Sequence, residues 1–223
     1  MKKFLLEDGS ISLRALLAQE YSTLPDEISC EMTLPQGAHV QLLDDLSQHK
    51  LSLHLLLEQG SHLTYLCKMI SPRQAEPEKH IEKKLTVSCR GRGAQADLSY
   101  LILGRGNETF SLTTVQGHQA PHSKSNLSIK GVFFDQARLI TNNLIRIEKG
   151  ADHVQAREEN KNLLLGSRAR VITIPKLEVH ANEVHCQHGA AVSRIDEAQL
   201  FYLESRGLSH DQAQQLLIES FLH

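Results

Sequence analysis

A chain of 223 residues, 40% of them hydrophobic, is long enough for one sizeable core or for one elongated domain with a small appendage. A formal net charge of −2 favours neither a nucleic-acid backbone nor an anionic membrane surface as partner. With aromatic residues at 4% and no Trp, the core is expected to be built from Leu, Ile, Val and Ala instead of large aromatic anchors.

The amino terminus begins Met1-Lys2-Lys3-Phe4-Leu5-Leu6, as a signal peptide would, but Glu7 and Asp8 interrupt the apolar run before any h-region forms. No apolar stretch reaches membrane-spanning length, so a soluble cytoplasmic protein is the expectation. Residues 10–21 place Leu13, Leu16 and Leu17 at helical spacing, which predicts a short amphipathic helix.

From about residue 27 short β-like runs recur, among them His39–Leu43, Leu51–Leu57, Leu63–Met69, Lys84–Ser88, Ala96–Leu103, Phe110–Val115 and Arg170–Ile174. Glycines punctuate them, for example Gly37, Gly60, Gly93 and Gly150. Many short strands with no helices between them argue for an all-β architecture. Tight Asn-Gly or Asp-Gly hairpins are missing from this region, and the breaks are long and polar (71–78, 117–125, 156–161). Stacked coils of a parallel β-helix therefore fit better than a sandwich or barrel. Residues 71–80 read as a mobile loop.

The last thirty residues change character. Asp196 is placed to cap a helix over 197–205, Gly207 to end it in the left-handed region, and Ser209 with Gln212 to form a capping box for a second helix. Ala213, Leu216, Leu217 and Phe221 form one apolar stripe on that helix, and Phe201 and Tyr202 add aromatic bulk to the first. These faces either pack on the β region or await a partner.

The four cysteines, Cys30, Cys67, Cys89 and Cys186, are far apart, with no CxxC pair, and three lie in apolar strand-like surroundings, so a disulfide framework is not expected. Four ligand-type residues, His180, His185, Cys186 and His188, fall within nine positions. On an extended backbone His180, Cys186 and His188 share one face and His185 takes the other, so Cys186 and His188 could reach one transition-metal ion, with its remaining ligands coming from elsewhere. The alternative is a half-buried thiol beside surface histidines. His118, His122 and Ser123 read as a solvated loop that could supply remote ligands, and Glu158-Glu159 with Lys161 as a solvated turn. No GxxxxGK[ST], GxSxG or HExxH pattern occurs.

Several separated motifs in order carry a resemblance: Lys130-Gly131-Val132, Leu163-Leu164-Leu165, Pro175-x-Leu177-Glu178-Val179, Cys186-x-His188-Gly189-Ala190, and Leu200-Phe201-Tyr202-Leu203 followed by Arg206-Gly207. Over about residues 95–222 the chain resembles the carboxy-terminal half of the SufB/SufD family of the SUF iron–sulfur cluster assembly system, with the CxHG form pointing to its SufD side. It departs from the family pattern in Asn182-Glu183-Val184 before that motif and in Gln187 within it, and it looks shortened at the amino end.

The resemblance implies an all-β fold with a small α appendage: a right-handed parallel β-helix followed by a short C-terminal helical domain. The expected organisation is an amino-terminal segment with a cap helix over 1–26, the β-helix over 27–192 and a helical docking domain over 193–223. The implied function is a non-enzymatic scaffold subunit. It would pair with a SufB-like subunit through the β-helix and dock a SufC-like ATPase, the source of ATP hydrolysis, through Leu200, Phe201, Tyr202, Arg206, Leu216, Leu217 and Phe221. His188 and Cys186 are the implied residues for cluster assembly, with no cofactor stably bound to the isolated subunit and a transient cluster or iron at a subunit interface. Two other readings stay open: a structural β-helix homodimer without assembly activity, and a β-helix carbohydrate-active enzyme, for which no acidic cluster is visible.

Overall fold

A computed structural model describes residues 2–46, 49–71 and 79–222. Among them the chain winds between two parallel sheets of seven strands each. The odd strands form one sheet: β1 (Lys2–Leu5), β3 (Glu27–Leu34), β5 (Lys50–Leu57), β7 (His80–Cys89), β9 (Thr109–His118), β11 (Arg138–Ile147) and β13 (Arg170–Val179). The even strands form the other: β2 (Gly9–Ser12), β4 (His39–Asp44), β6 (His62–Ile70), β8 (Gln95–Gly104), β10 (Lys124–Phe133), β12 (Gln155–Leu164) and β14 (His185–Arg194). Each coil gives one strand to each sheet, and the result is the parallel β-solenoid expected from the sequence, followed by a short helical part.

Register is strict along the axis. In the even sheet Gln95, Lys124, Gln155 and His185 stand in one column, and Leu98, Leu127, Glu158 and His188 in another. Side chains alternate in and out along each strand, so every residue of a column faces the same way. The two sheets begin upstream of residue 27, because β1 pairs with β3 and β2 with β4. Helix α1 (Leu13–Ala18) is capped by Ser12, whose Oγ accepts from the Ala15 N–H, and it buries Leu13 and Leu17 completely. Most of the stretch expected as a mobile loop, 72–78, lies outside the described residues.

One apolar cluster runs through the interior from Leu6 to Ala169 and is rich in Leu, Ile, Val and Ala, with aromatic contacts inside it: Tyr65 meets Tyr100 of the next coil at a tilt, and Phe110 meets Phe133 edge-on across the two sheets. Coil corners nest closely, and a Cβ on Gly91 would run into the Gln59 backbone of the coil beside it. At one corner the left-handed position is Gly37, Gly60 and Gly93 in early coils, and His122 and His153 in later ones. Cys30, Cys67 and Cys89 are buried free thiols. Among the described residues no helix is long and apolar enough to cross a membrane.

Two expectations need correction. The polar run 156–161 is not a break, and Glu158, Glu159 and Lys161 do not form a solvated turn. All lie in β12, and Glu158 is 2% exposed. The inward positions of this strand are Ala156, Glu158, Asn160 and Asn162, so hydrophobic alternation is missing where the interior itself is polar.

Candidate functional site

The interior changes character toward the carboxy-terminal coils. The inward side chains of β9 run Phe110, Leu112, Thr114, Gln116, His118, and those of β11 include Thr141 and Asn143. Buried polar groups need partners, and most of these find each other across the coil. The Thr114 hydroxyl donates to Asn143 Oδ1 at 2.9 Å, and Asn143 Nδ2 donates to Glu158 Oε1 at 2.6 Å. Asn160 Nδ2 donates to the hydroxyls of Thr141 and Thr173, and Asn162 Nδ2 to Asn160 Oδ1. Four buried atoms at this end have no partner among the described residues: both ends of the Gln116 amide, Glu158 Oε2 and Asn162 Oδ1. Burial pushes the Glu158 carboxyl above the usual carboxylate range, opposed by the Asn143 N–H and by the nearby His188 imidazole.

Cys186 and His188 lie on β14, the last strand of the even sheet. They are in register with inward-facing Ala156 and Glu158, so both point to the interior side of the final coil. No described strand follows β14 in its sheet, so this side remains open, and His188 is exposed. Cys186 is half-buried and packs against the small apolar cluster that contains Ile145, Val154 and Ala156. Burial raises its thiol pKa, which keeps it protonated at neutral pH until a metal or a nearby cation draws the proton off. The pair thus offers an imidazole and a thiol side by side above a buried carboxylate. Among the described residues no three His, Cys, Asp or Glu side chains are placed to hold a metal ion together. Donors for a complete coordination shell would have to come from beyond these described side chains.

The other ligand-type residues are separated from this pair. His180 follows the end of β13 and is exposed, with its N–H donating to the Ile147 carbonyl. His185 faces outward on β14. His118 is fully buried in β9, between the Ser123 and Ser125 hydroxyls at 2.7 and 2.9 Å, so it is not part of a solvated loop. Ser123 donates to the Ala120 carbonyl, which leaves its oxygen to accept from His118 Nδ1–H. His122 stacks on His153 at the coil corner, ring centroids 4.8 Å apart, and His153 Nδ1 lies 3.2 Å from Glu183 Oε2. The interior chain Thr114–Asn143–Glu158 went unread in the sequence. The signal available for it was the coil repeat, since a step from Gln155 to His185 carries Glu158 to His188.

Helices α2 (Glu197–Ser205) and α3 (His210–Leu222) follow β14 directly. Asp196 Oδ1 accepts from the Ala198 N–H, Gly207 has φ +96°, and Ser209 and Gln212 exchange the two bonds of a capping box. Ile218 and Phe221 of α3 pack on Val132 and Leu163 of the solenoid, and Lys130 Nζ donates to the Leu222 carbonyl. Leu200, Leu217 and Phe221 are partly buried, whereas Phe201, Tyr202 and Leu216 are 71%, 55% and 46% exposed. The Arg206 guanidinium lies over the Tyr202 ring, 5.1 Å from its centroid.

Comparison with known proteins agrees with this architecture. The family model for the "SUF system FeS cluster assembly, SufBD core domain" matches residues 30–221. The chain is 36% identical over 131 residues to the iron-sulfur cluster assembly protein SufD of Escherichia coli (strain K12), covering 59% of this chain and 31% of that protein. It is 35% identical over 137 residues to SufD of Bacillus subtilis (strain 168), covering 61% and 31%, and 33% identical over 121 residues to the SufBD family protein slr0076 of Synechocystis, covering 54% and 26%. The matched stretch spans between about a quarter and a third of the length of these relatives. With its core match over residues 30–221 and its likeness to two SufD proteins, the chain belongs to the SufBD family and is of the SufD type.

Proposed function

We propose that this chain is a non-enzymatic, cytoplasmic scaffold subunit of an iron–sulfur cluster assembly complex, with the cluster as cargo and not as a resident cofactor. The observation that carries the reading is the placement of Cys186 and His188 together on the open interior side of the last coil. A thiol and an imidazole suit iron, but two donors hold it weakly, so the site asks for a second subunit. The free edges of β13 and β14 offer unpaired backbone groups for such a subunit, and Ile172, Ile174 and Val192 are exposed along them. A SufB-like chain is the proposed partner there. A SufC-like ATPase is the proposed partner of the exposed apolar face of α2 and α3, and it would supply the nucleotide chemistry for which this sequence has no phosphate loop.

The test is co-expression with SufB-like and SufC-like chains, followed by size-exclusion chromatography and iron and sulfide analysis under anaerobic conditions. Co-elution with a cluster that is built in the intact complex and lost with His188→Ala supports the reading. Normal cluster maturation by a folded His188→Ala variant refutes the site. A lone homodimer that ignores both partners refutes the scaffold role and leaves a structural solenoid.

A further inference from the structure

Glu158 is a buried acid with half of its hydrogen-bonding capacity unused. Its Oε1 accepts from Asn143 Nδ2 at 2.6 Å, while its Oε2 is buried without a partner among the described residues. An unpaired buried carboxylate oxygen is costly, so its neighbourhood is where a missing donor belongs. The next coil places His188 in register with Glu158 on the same inward face, one strand spacing of about 4.8 Å away. Imidazoles that bind metals commonly give their second N–H to a carboxylate, which fixes the tautomer and the ring orientation.

We propose that Glu158 is a positioning residue for His188: its free Oε2 takes one imidazole N–H, locking the tautomer and turning the other ring nitrogen toward the open end of the solenoid. The chain Thr114–Asn143–Glu158 then anchors the site from within, because Asn143 is itself held by Thr114 and can offer only its N–H to the acid. This rests on the proposed role of His188 for its purpose, but the contact can be tested without that role.

The isosteric variant makes a sharp prediction. In Glu158→Gln, Asn143 still demands an acceptor, so the new carboxamide must turn its oxygen to Asn143 and its NH2 to His188. The NH2 can only donate, so the ring nitrogen facing it must become an acceptor and the tautomer must invert.

The 223-residue chain is labelled with 15N-histidine, and the ring nitrogens of His188 are assigned by their disappearance in His188→Ala. Long-range 1H–15N spectra at pH 8 should show a single tautomer in the unmutated protein, an exchange of the protonated and bare ring nitrogens in Glu158→Gln, and a mixture in Glu158→Ala. An imidazole N–H of His188 protected from solvent exchange in the unmutated protein reads the same contact with no variant at all. Unchanged tautomer populations in Glu158→Gln, or no protected N–H in the unmutated protein, overturn the proposal. Cluster maturation by His188→Ala is scored separately: if it is normal while the tautomer inverts in Glu158→Gln, the function falls and the contact stands. If it is lost while the tautomer is indifferent to the change at Glu158, the reverse holds.

Discussion

The strongest stability prediction concerns an ion pair inside the amino-terminal coils. Asp44 and Lys83 are 0% and 1% exposed, and they cross the interior from β4 to β7. Lys83 Nζ donates to both Asp44 oxygens and to the Leu46 carbonyl, while Asp44 also receives the Tyr65 O–H, the Cys67 S–H and the Leu46 N–H. Breaking a buried pair by removing one partner costs about 3–5 kcal/mol. Lys83→Met leaves Asp44 with its three other donors and should fall at the low end, ~3 kcal/mol, which for a chain of this size lowers Tm by about 6–12 °C. Asp44→Leu leaves an ammonium with one carbonyl and strands the Tyr65 and Leu46 donors, so it should cost ~5 kcal/mol or more. The double variant removes the stranded charge and should be more stable than Asp44→Leu alone. Urea titrations and thermal melts followed by circular dichroism would measure the four corners of this cycle. A Lys83→Met loss below ~1 kcal/mol, or additive single changes, refutes the argument that the pair is a closed, mutually dependent unit.

Other consequences follow from the same interior. Burial holds the His118 pKa down at about 4 against an ordinary 6.5, so the unfolded chain takes up that proton first and stability falls as pH drops from 6.5 toward 4, by roughly 3 kcal/mol over the window. Urea midpoints at pH 7.5 and 4.5 should show this slope, and His118→Asn should flatten it; an equal slope in the variant rejects His118 as its source. Gly91→Ala drives a Cβ into the Gln59 backbone and should cost more than ~2 kcal/mol in the same assay, because a coil corner cannot shift without its neighbours. Ile218→Ala removes a side chain seated on Val132 and Leu163; it should cost ~2–4 kcal/mol locally and speed amide exchange throughout α3. Phe201→Ala, at a largely exposed position, should leave the melt within ~0.5 kcal/mol of the parent yet abolish co-elution with a SufC-like partner.

The sequence was most readable where the interior is apolar. Strands such as β5, β6 and β8 show apolar residues at every second position, and α2 and α3 announce themselves through Asp196, Gly207 and the Ser209–Gln212 box. It was least readable where the interior is polar. β12 turns Glu158, Asn160 and Asn162 inward, so its hydropathy resembles a turn although its backbone is a ladder strand. The four-residue strands β1 and β2 are too short to carry a period, and only pairing with β3 and β4 makes them strands. At the site, residue parity correctly put Cys186 and His188 on one face. Parity could not show that His180 leaves the strand, nor that a glutamate one coil back shares the face, because both depend on where the corners fall.

The shift from apolar to polar interior also bears on the end of the solenoid where Cys186 and His188 stand. Leu13 and Leu17 of α1 belong to the apolar cluster of the early coils and are fully buried, which takes apolar surface at that end out of water. Among the described residues nothing covers the final coil in this way: Leu177, Val179 and Val192 remain more than two-fifths exposed. Filling the coil beneath it with Leu and Ile would enlarge that apolar opening at about 25 cal/mol per Å². Thr141, Asn143, Glu158, Asn160 and Asn162 instead form a layer that tolerates water at its edge, at the cost of acceptors at Glu158 and Asn162 that have no partner among the described residues. Those orphans lie in the strand next to the one that presents Cys186 and His188. The layer that makes an open solenoid end stable in water therefore also supplies hydrogen-bond acceptors beneath the thiol and the imidazole, an arrangement that an all-apolar core could not provide.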